Sequence, residues 1–188
     1  MKIVITGSES FVGRELISQC KNKGLDVIGL DSIDVNHANY EFHQIDIRSP
    51  KIADFIPEGA DALIHLAALS RDDDCRGKAY ECFDTNVMGT LNMIKVSLAR
   101  NVKQFIFASS EWVYDTFNMS EEKDENALID ISKHNSEYAL SKLVNESNLR
   151  QQYTHGFCSV SILRFGIIYG PRKNNRKCKH YKKSNPYR

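Results

Sequence analysis

The chain has 188 residues, of which 41% are hydrophobic and 26% charged, and its formal net charge is +1. These values are ordinary for a soluble globular protein of one domain, or of one domain plus a fragment. No apolar run reaches the roughly 18 residues that a bilayer span needs, and the chain opens on a strand pattern rather than a signal peptide, so we expect a cytoplasmic protein without a membrane partner.

Strand-like and helix-like stretches alternate along the chain. The strand-like runs are rich in Val, Ile and Phe, as buried parallel strands are, and lie at residues 2–5, 26–30, 41–45, 62–66, 104–108 and 159–164. Helices are predicted between them, over residues 11–23, 84–99 and 136–152. This alternation predicts an open, mostly parallel α/β sheet.

The segment TGSESFVG, residues 6–13, joins the first strand to the first helix. In parallel sheets ligands bind at this position, at the carboxyl ends of the strands. Gly7 permits a backbone conformation closed to other residues, and Gly13 lets the helix pack closely on the strand. Free N–H groups and the helix dipole then face a pyrophosphate. Ser10 stands where a third glycine is expected, so the loop alone is equally consistent with a simple turn.

An acid, Asp31, ends the second strand 24 positions after Gly7. A carboxylate there accepts hydrogen bonds from the adenosine ribose and repels a 2′-phosphate, which selects NAD over NADP. The alternative is a turn or capping residue, because Asp31-Ser32 is turn-like. The glycine loop in register favours the ribose role.

The segment YALSK, residues 138–142, lies in the third predicted helix. Residues four apart share a helical face, so Tyr138 and Lys142 are neighbours. A nearby ammonium stabilises the phenolate and lowers the phenol pKa from about 10, which makes Tyr138 a candidate general acid/base. The pattern by itself is common on solvated helix faces.

Six motifs occur in the order and spacing of the extended short-chain dehydrogenase/reductases, and the chain resembles their NAD-dependent nucleotide-sugar epimerase/dehydratase group over residues 1–172. The motifs are TGSESFVG, HLAALS (65–70), NVMGTLNM (86–93), FASSEWVY (107–114), YALSK and LRFGIIYGPR (163–172). The resemblance implies a Rossmann-type doubly wound parallel sheet with helices on both faces. It also implies NAD as the cofactor and a nucleotide-sugar as the substrate.

The resemblance also implies a role for each matching position. Cofactor contacts fall on Gly7, Ser10, Phe11, Val12 and Gly13 (diphosphate), Asp31 (ribose), Asp46 and Ile47 (adenine), Leu66, Ala67 and Ala68 (cleft lining), Asn86 (long helix), and Phe165 and Gly166 (nicotinamide). The catalytic group is Ser110, Tyr138 and Lys142, with Glu111 as an auxiliary acid/base; Tyr138 and Lys142 also contact the cofactor. His65 is expected to be structural.

The implied activity is that of an oxidoreductase or isomerase acting at a sugar carbinol. Tyr138 removes the hydroxyl proton while the carbon-bound hydrogen leaves as hydride to NAD, and Ser110 hydrogen-bonds the developing carbonyl oxygen. An epimerase or dehydrogenase is favoured over a dehydratase, because Glu111 is followed by Trp112 and not by a second carboxylate.

The end of the chain departs from the family. Members commonly continue into a smaller domain that holds the nucleotide-sugar, and here that domain is largely missing. Eight of the 25 basic residues lie from Arg172 onward without an acid, leaving 17 against 24 acids. We therefore expect an NAD-binding domain at 1–172 and a basic, disordered tail at 173–188. Nucleic acid is the less favoured reading of this tail.

Two alternatives follow from the short chain. It is either an active member of the family, with a second copy in a homodimer as one source of the missing half, or a truncated or non-catalytic NAD-binding domain. The five cysteines are odd in number and include no C-x-x-C pair, which favours reduced thiols over disulfides or zinc, and no metal site is predicted.

Overall fold

A six-stranded parallel sheet forms the centre of the protein. The structure, a computed structural model, describes residues 1–35, 39–114 and 122–170. The strand order is β3-β2-β1-β4-β5-β6, and every neighbouring pair is parallel. The strands are β1 Lys2–Thr6, β2 Asp26–Asp31, β3 Glu41–Gln44, β4 Ala62–His65, β5 Gln104–Ser110 and β6 Ser159–Phe165. This is the doubly wound order, whose switch point lies between β1 and β4, and it confirms the predicted fold class.

Within the described residues, five α-helices connect or flank the strands. They are α1 Phe11–Asn22, α2 Asp72–Cys75, α3 Ala79–Phe83, α4 Gly89–Ala99 and α5 Glu137–Thr154, with 3₁₀ turns at Pro50–Phe55, Glu111–Val113 and Ile131–Lys133. The hydroxyl of Ser136 caps α5 by accepting a hydrogen bond from the Ala139 N–H at 3.3 Å. Gly24, with φ of +69°, follows the end of α1, as the sequence predicted.

The predicted helix over residues 84–99 is not a single regular helix. Helical structure begins at Ala79, and Asp84–Met88 forms a π-helical turn before α4. The carbonyl oxygen of Asn86 in this turn accepts hydrogen bonds from Thr90 Oγ1 at 2.6 Å and Asn145 Nδ2 at 2.8 Å. Two side chains therefore donate to this carbonyl oxygen where the π-helical turn changes the backbone hydrogen-bond pattern, and Asn145 connects the turn to α5.

Two apolar clusters cover the two faces of the sheet. Consecutive strand residues point to opposite faces, so Val4 and Ile5 of β1 belong to different clusters. Val4 packs in the larger cluster with Met93 of α4 and Leu149 of α5. Ile5 packs in the smaller cluster with Ile17 of α1. Full burial of such a side chain contributes roughly 1.5–3 kcal/mol, so both layers of helices hold the sheet in place.

Three further expectations concern the whole chain. None of the helices in the described ranges combines the length and apolar character that crossing a membrane requires. Free thiols are found at Cys20, Cys75, Cys82 and Cys158. The predicted domain boundary after residue 172 and the tail at 173–188 lie outside the described residues.

Candidate functional site

The loop after β1 is built around Gly7 and Ser10. Gly7 has φ of +68° and donates its N–H to Leu30 O at 2.8 Å, and a Cβ there would lie 2.8 Å from the backbone nitrogen of Ala67. Ser10 has φ of −66° in the extended region, and its hydroxyl accepts from the Gly13 N–H at 3.0 Å. Ser10 therefore needs no glycine conformation, and it caps the helix that follows.

The first turn of α1 lies directly against this loop. A Cβ on Gly13 would stand 2.4 Å from Gly7 O and 2.7 Å from Ser8 O, so only glycine fits without a shift. Phe11 is 40% exposed at the start of the helix, and Val12 is half-buried. A helix N-terminus with a glycine-lined approach is an anion site, because its N–H groups lack intrahelical partners.

Asp31 ends β2 beside the loop. Its Oδ2 accepts from the Glu9 N–H at 2.9 Å, and its Oδ1 accepts from the Ile33 N–H at 3.1 Å. The bond from Ile33 is the turn contact that the sequence offered as the alternative to a ribose contact. The first bond fixes the carboxylate against the glycine loop, where a ribose acceptor would have to stand.

Asp46 and Ile47 follow β3 at the same edge of the sheet. The Asp46 carboxylate accepts from Arg48 Nη2 at 2.6 Å and Nε at 3.0 Å, and these bonds lower the pKa of Asp46. Ile47 is buried, and its Cδ1 would lie 2.5 Å from a Cβ on Gly89. Arg48 therefore already engages the carboxylate predicted to meet the adenine.

The segment after β4 joins the loop to the helices. Leu66 donates its N–H to Thr6 O at 3.1 Å, and Ala67 donates to Thr6 Oγ1 at 3.3 Å. Ala68 continues this half-buried segment. These bonds set the segment beside the glycine loop.

Asn86 is buried and connects three parts of the site. Its Oδ1 accepts from the Leu69 N–H at 2.8 Å, and its Nδ2 donates to Leu69 O at 3.1 Å and to Ser141 Oγ at 3.0 Å. It thus links the segment after β4 with the helix that carries Tyr138 and Lys142. Its role in the structure is to support the site, because its amide is engaged on both sides.

Ser110, Tyr138 and Lys142 come together at the carboxyl end of β5. Ser110 ends the strand; its hydroxyl accepts from the Trp112 N–H at 3.2 Å and lies close enough to the Tyr138 phenol to lower the pKa of that phenol. Lys142 donates its ammonium to Ala108 O at 2.7 Å, and its Nζ stands 5.8 Å from the centre of the Tyr138 ring. The three side chains predicted to form a catalytic group are therefore neighbours.

The electrostatics of this group differ from the sequence-based expectation. Burial raises the pKa of Tyr138, and the neighbouring Ser110 hydroxyl offsets part of the rise. Burial also lowers the pKa of Lys142 to about 8. The sequence predicted a lowered Tyr138 pKa, but burial dominates, and the Lys142 ammonium donates to Ala108 O and lies 4.8 Å from the centre of the Phe107 ring.

Glu111, Phe165 and Gly166 meet at the end of β6. Ser110 pairs with Phe165 in the register of β5 and β6. The Oε2 of Glu111 would lie 3.0 Å from a Cβ on Gly166, so a carboxylate stands next to the segment predicted to line the nicotinamide. Glu111 thus joins the end of β5, which it directly follows, to the start of the segment after β6.

A buried ion pair behind Ser110 was not assigned a role from the sequence. Arg164 of β6 donates to Glu146 of α5 through Nη2–Oε2 at 2.7 Å and Nε–Oε1 at 3.0 Å. The two side chains are 9% and 2% exposed. Glu146 also accepts from Ser109 Oγ at 2.6 Å, and Arg164 donates to the Tyr114 hydroxyl at 2.9 Å. This network fixes the strand end that presents Ser110.

His65 is part of the interior and not of the site. Its ring nitrogens are hydrogen-bonded to Thr6 Oγ1 at 2.7 Å and Thr90 Oγ1 at 3.0 Å. Burial lowers its pKa to about 3, so the ring is neutral at physiological pH. The prediction of a structural role agrees with this position.

The sheet order and the glycine loop together define a Rossmann-type dinucleotide-binding domain. The model of the NAD-dependent epimerase/dehydratase family matches residues 3–184. The chain therefore belongs to that family, and this confirms the resemblance read from the six motifs. The predicted cofactor, NAD, is the one on which the family depends.

Individual relatives agree with this assignment. The chain is 26% identical over 213 residues to a dTDP-D-glucose 4,6-dehydratase from Dictyostelium discoideum, covering 94% of this chain and 49% of the relative. It superimposes with a TM-score of 0.81 on the UDP-glucose 4-epimerase of Thermus thermophilus in complex with NAD, at 24% identity, covering 93% of this chain and 58% of the other. The dTDP-glucose 4,6-dehydratase DesIV of Streptomyces venezuelae, with NAD bound, gives 0.81 at 26% identity, covering 91% and 57%. The chain thus spans about half the length of such proteins.

Proposed function

We propose that the chain binds NAD across the carboxyl edge of the sheet, with the diphosphate on residues 7–13 and the nicotinamide end at Ser110, Tyr138 and Lys142. The observation that carries this proposal is the close packing of the loop of residues 7–13 around its two glycines. A Cβ at Gly7 or Gly13 would come within 3 Å of backbone atoms, so only glycines let the loop pack this closely beside the free N–H groups of the helix N-terminus, which suit a diphosphate.

The remaining contacts follow from the donors and acceptors at hand. Asp31 accepts from the adenosine ribose, and Asp46 and Ile47 lie at the adenine. Lys142 reaches the other ribose: among the described residues its ammonium donates one hydrogen bond, to Ala108, which leaves two N–H donors for hydroxyl groups. Phe165 lies beside the nicotinamide. When bound, NAD supplies the acceptor for a hydride.

The proposed chemistry is proton removal from a sugar carbinol of a nucleotide-sugar. Tyr138 takes the hydroxyl proton, and Ser110, whose hydroxyl lies near the phenol, donates to the oxygen that becomes a carbonyl. Lys142 keeps positive charge near the phenol, which favours the phenolate once the proton is to be moved. Glu111 is an auxiliary acid/base beside Gly166.

We favour an epimerase or dehydrogenase over a dehydratase. Elimination of water needs an added acid and base, and Trp112, 44% exposed, follows Glu111 in place of a second carboxylate. The second candidate function is NAD binding without turnover. The raised pKa of Tyr138 favours it, because burial disfavours the phenolate that proton removal needs. A homodimer and a cytoplasmic location also remain proposals.

Purified protein with NAD and a panel of UDP-, dTDP-, GDP- and CDP-sugars tests the chemistry, with product analysis by NMR and a light-scattering mass. We expect Tyr138→Phe to lower turnover by about 100-fold or more while NAD affinity stays within twofold, roughly, since only the acid/base oxygen is lost. The matched control is Tyr153→Phe, on the same helix and 60% exposed. Normal turnover in Tyr138→Phe would exclude the proton transfer. If the wild-type chain binds NAD and converts none of the sugars, the second candidate function, NAD binding without turnover, is favoured.

A further inference from the structure

An acidic side chain, Glu9, lies inside the glycine loop. It is held from two sides: Tyr40 donates its hydroxyl to Glu9 Oε1 at 2.5 Å, and Arg14 Nε stands 3.1 Å from Glu9 Oε2. The Glu9 side chain is only 10% exposed. A carboxylate repels other anions, so a fixed carboxylate in this loop opposes anion binding. Its position there is explained if it has a function of its own.

Glu9 and Asp31 share one end of the cleft. The Glu9 N–H donates to Asp31 Oδ2 at 2.9 Å, so the two residues are joined where β2 meets the loop. Tyr40 is affected by both: burial chiefly raises its pKa, and the hydrogen bond with Glu9 and the charge of Asp31 raise it further. Both carboxylates therefore act on the same small region, at which the proposed site receives the adenosine ribose.

We propose that Glu9 is a second residue that selects NAD over NADP. Its charge adds to that of Asp31 and opposes the 2′-phosphate, which carries about two negative charges near neutral pH. Glu9 also engages Arg14, 51% exposed, which would otherwise be free to attract that phosphate. Tyr40 fixes the carboxylate on the ribose side. The inference rests on the proposed NAD site.

The two members of the ion pair have opposite expected effects. Glu9→Gln removes the repulsion and releases Arg14, while the backbone bond from residue 9 to Asp31 is retained. The ratio of the NADP to the NAD dissociation constant should fall about five- to tenfold, as expected for one charge acting on a phosphate across several ångströms of water. Arg14→Gln leaves Glu9 unopposed, so the same ratio should rise.

Titration calorimetry with NAD and NADP tests this on the full chain. The control is Glu15→Gln, an exposed acid on α1 that accepts from Gln19, and it should leave the ratio unchanged. A wild-type chain that prefers NAD, with an unchanged ratio in Glu9→Gln, overturns the inference and leaves the proposed function intact. A wild-type chain that binds neither cofactor overturns both. Should Glu9→Gln fail to fold, a fall or no change of the ratio in Arg14→Gln overturns the inference.

Discussion

Gly13→Ala should damage the chain at the point where α1 meets the loop. The added methyl group would lie 2.4 Å from Gly7 O and 2.7 Å from Ser8 O, against an ordinary carbon contact of about 3.5 Å. Both atoms belong to backbone, and Gly7 is itself held by its bond to Leu30. The helix must therefore withdraw by about 1 Å, which costs about 1–3 kcal/mol of unfolding free energy as an overpacked contact does.

The same displacement should weaken NAD binding by about tenfold or more, because the N–H groups at the helix N-terminus move away from the diphosphate. Gly24→Ala is the matched control at the other end of α1. Gly24 has φ of +69° and nothing within 4 Å of an added Cβ, so the change costs about 1–2 kcal/mol from backbone strain and leaves NAD affinity unchanged. Urea unfolding and titration calorimetry measure both quantities. The reasoning is refuted if Gly13→Ala binds NAD as the wild type does, or if both variants lose the same affinity.

Two further predictions concern buried charges. Glu146→Ala leaves Arg164 buried without its partner and should lower the free energy of unfolding in urea by about 3–5 kcal/mol. In the double variant Glu146→Leu, Arg164→Met, the free energy of unfolding should lie near that of the wild type. Equal losses in both variants would contradict a role for the pair. Lys142→Met should stabilise the protein at pH 7 by up to about 3 kcal/mol, because burial depresses the folded pKa from 10.5 to about 8 and the unfolded chain holds more protons between these values. The stability of the wild type therefore rises between about pH 8 and pH 10.5, and the gain in unfolding free energy from Lys142→Met should vanish near pH 10.5. Unfolding curves taken across this range measure it. A gain that stays constant with pH would argue against the depressed pKa.

The sheet could be predicted closely from the sequence because its four inner strands, β2, β1, β4 and β5, are largely buried. Such strands are continuous apolar runs, and the predicted limits lie within two residues of the observed ones. The largest difference is at the carboxyl end of β5, which continues to Ser110. Polar residues end the apolar pattern there, although the ladder of hydrogen bonds continues through them.

The contacts behind the site could not be predicted in the same way. Glu146 follows Lys142 by one helical turn, and Arg164 lies within the motif LRFGIIYGPR, but only the packing of α5 on β6 brings the two together. An arginine in an apolar strand was the one available signal. Likewise, spacing places Lys142 near Tyr138 without specifying that the ammonium turns to Ala108.

The proposed function requires that the glycine loop, the end of β2 and the start of α5 form one NAD site. Hydrogen–deuterium exchange of the wild-type chain, measured with and without saturating NAD, reports on all three segments at once. We expect slower exchange in peptides covering residues 7–13, 31–33 and 138–142. We expect no change at residues 57–61 and 100–103, which meet at the opposite edge of the sheet, where Gly59 donates to Arg100 O. Protection confined to other segments, or absent at saturating NAD, would contradict a single site of this composition.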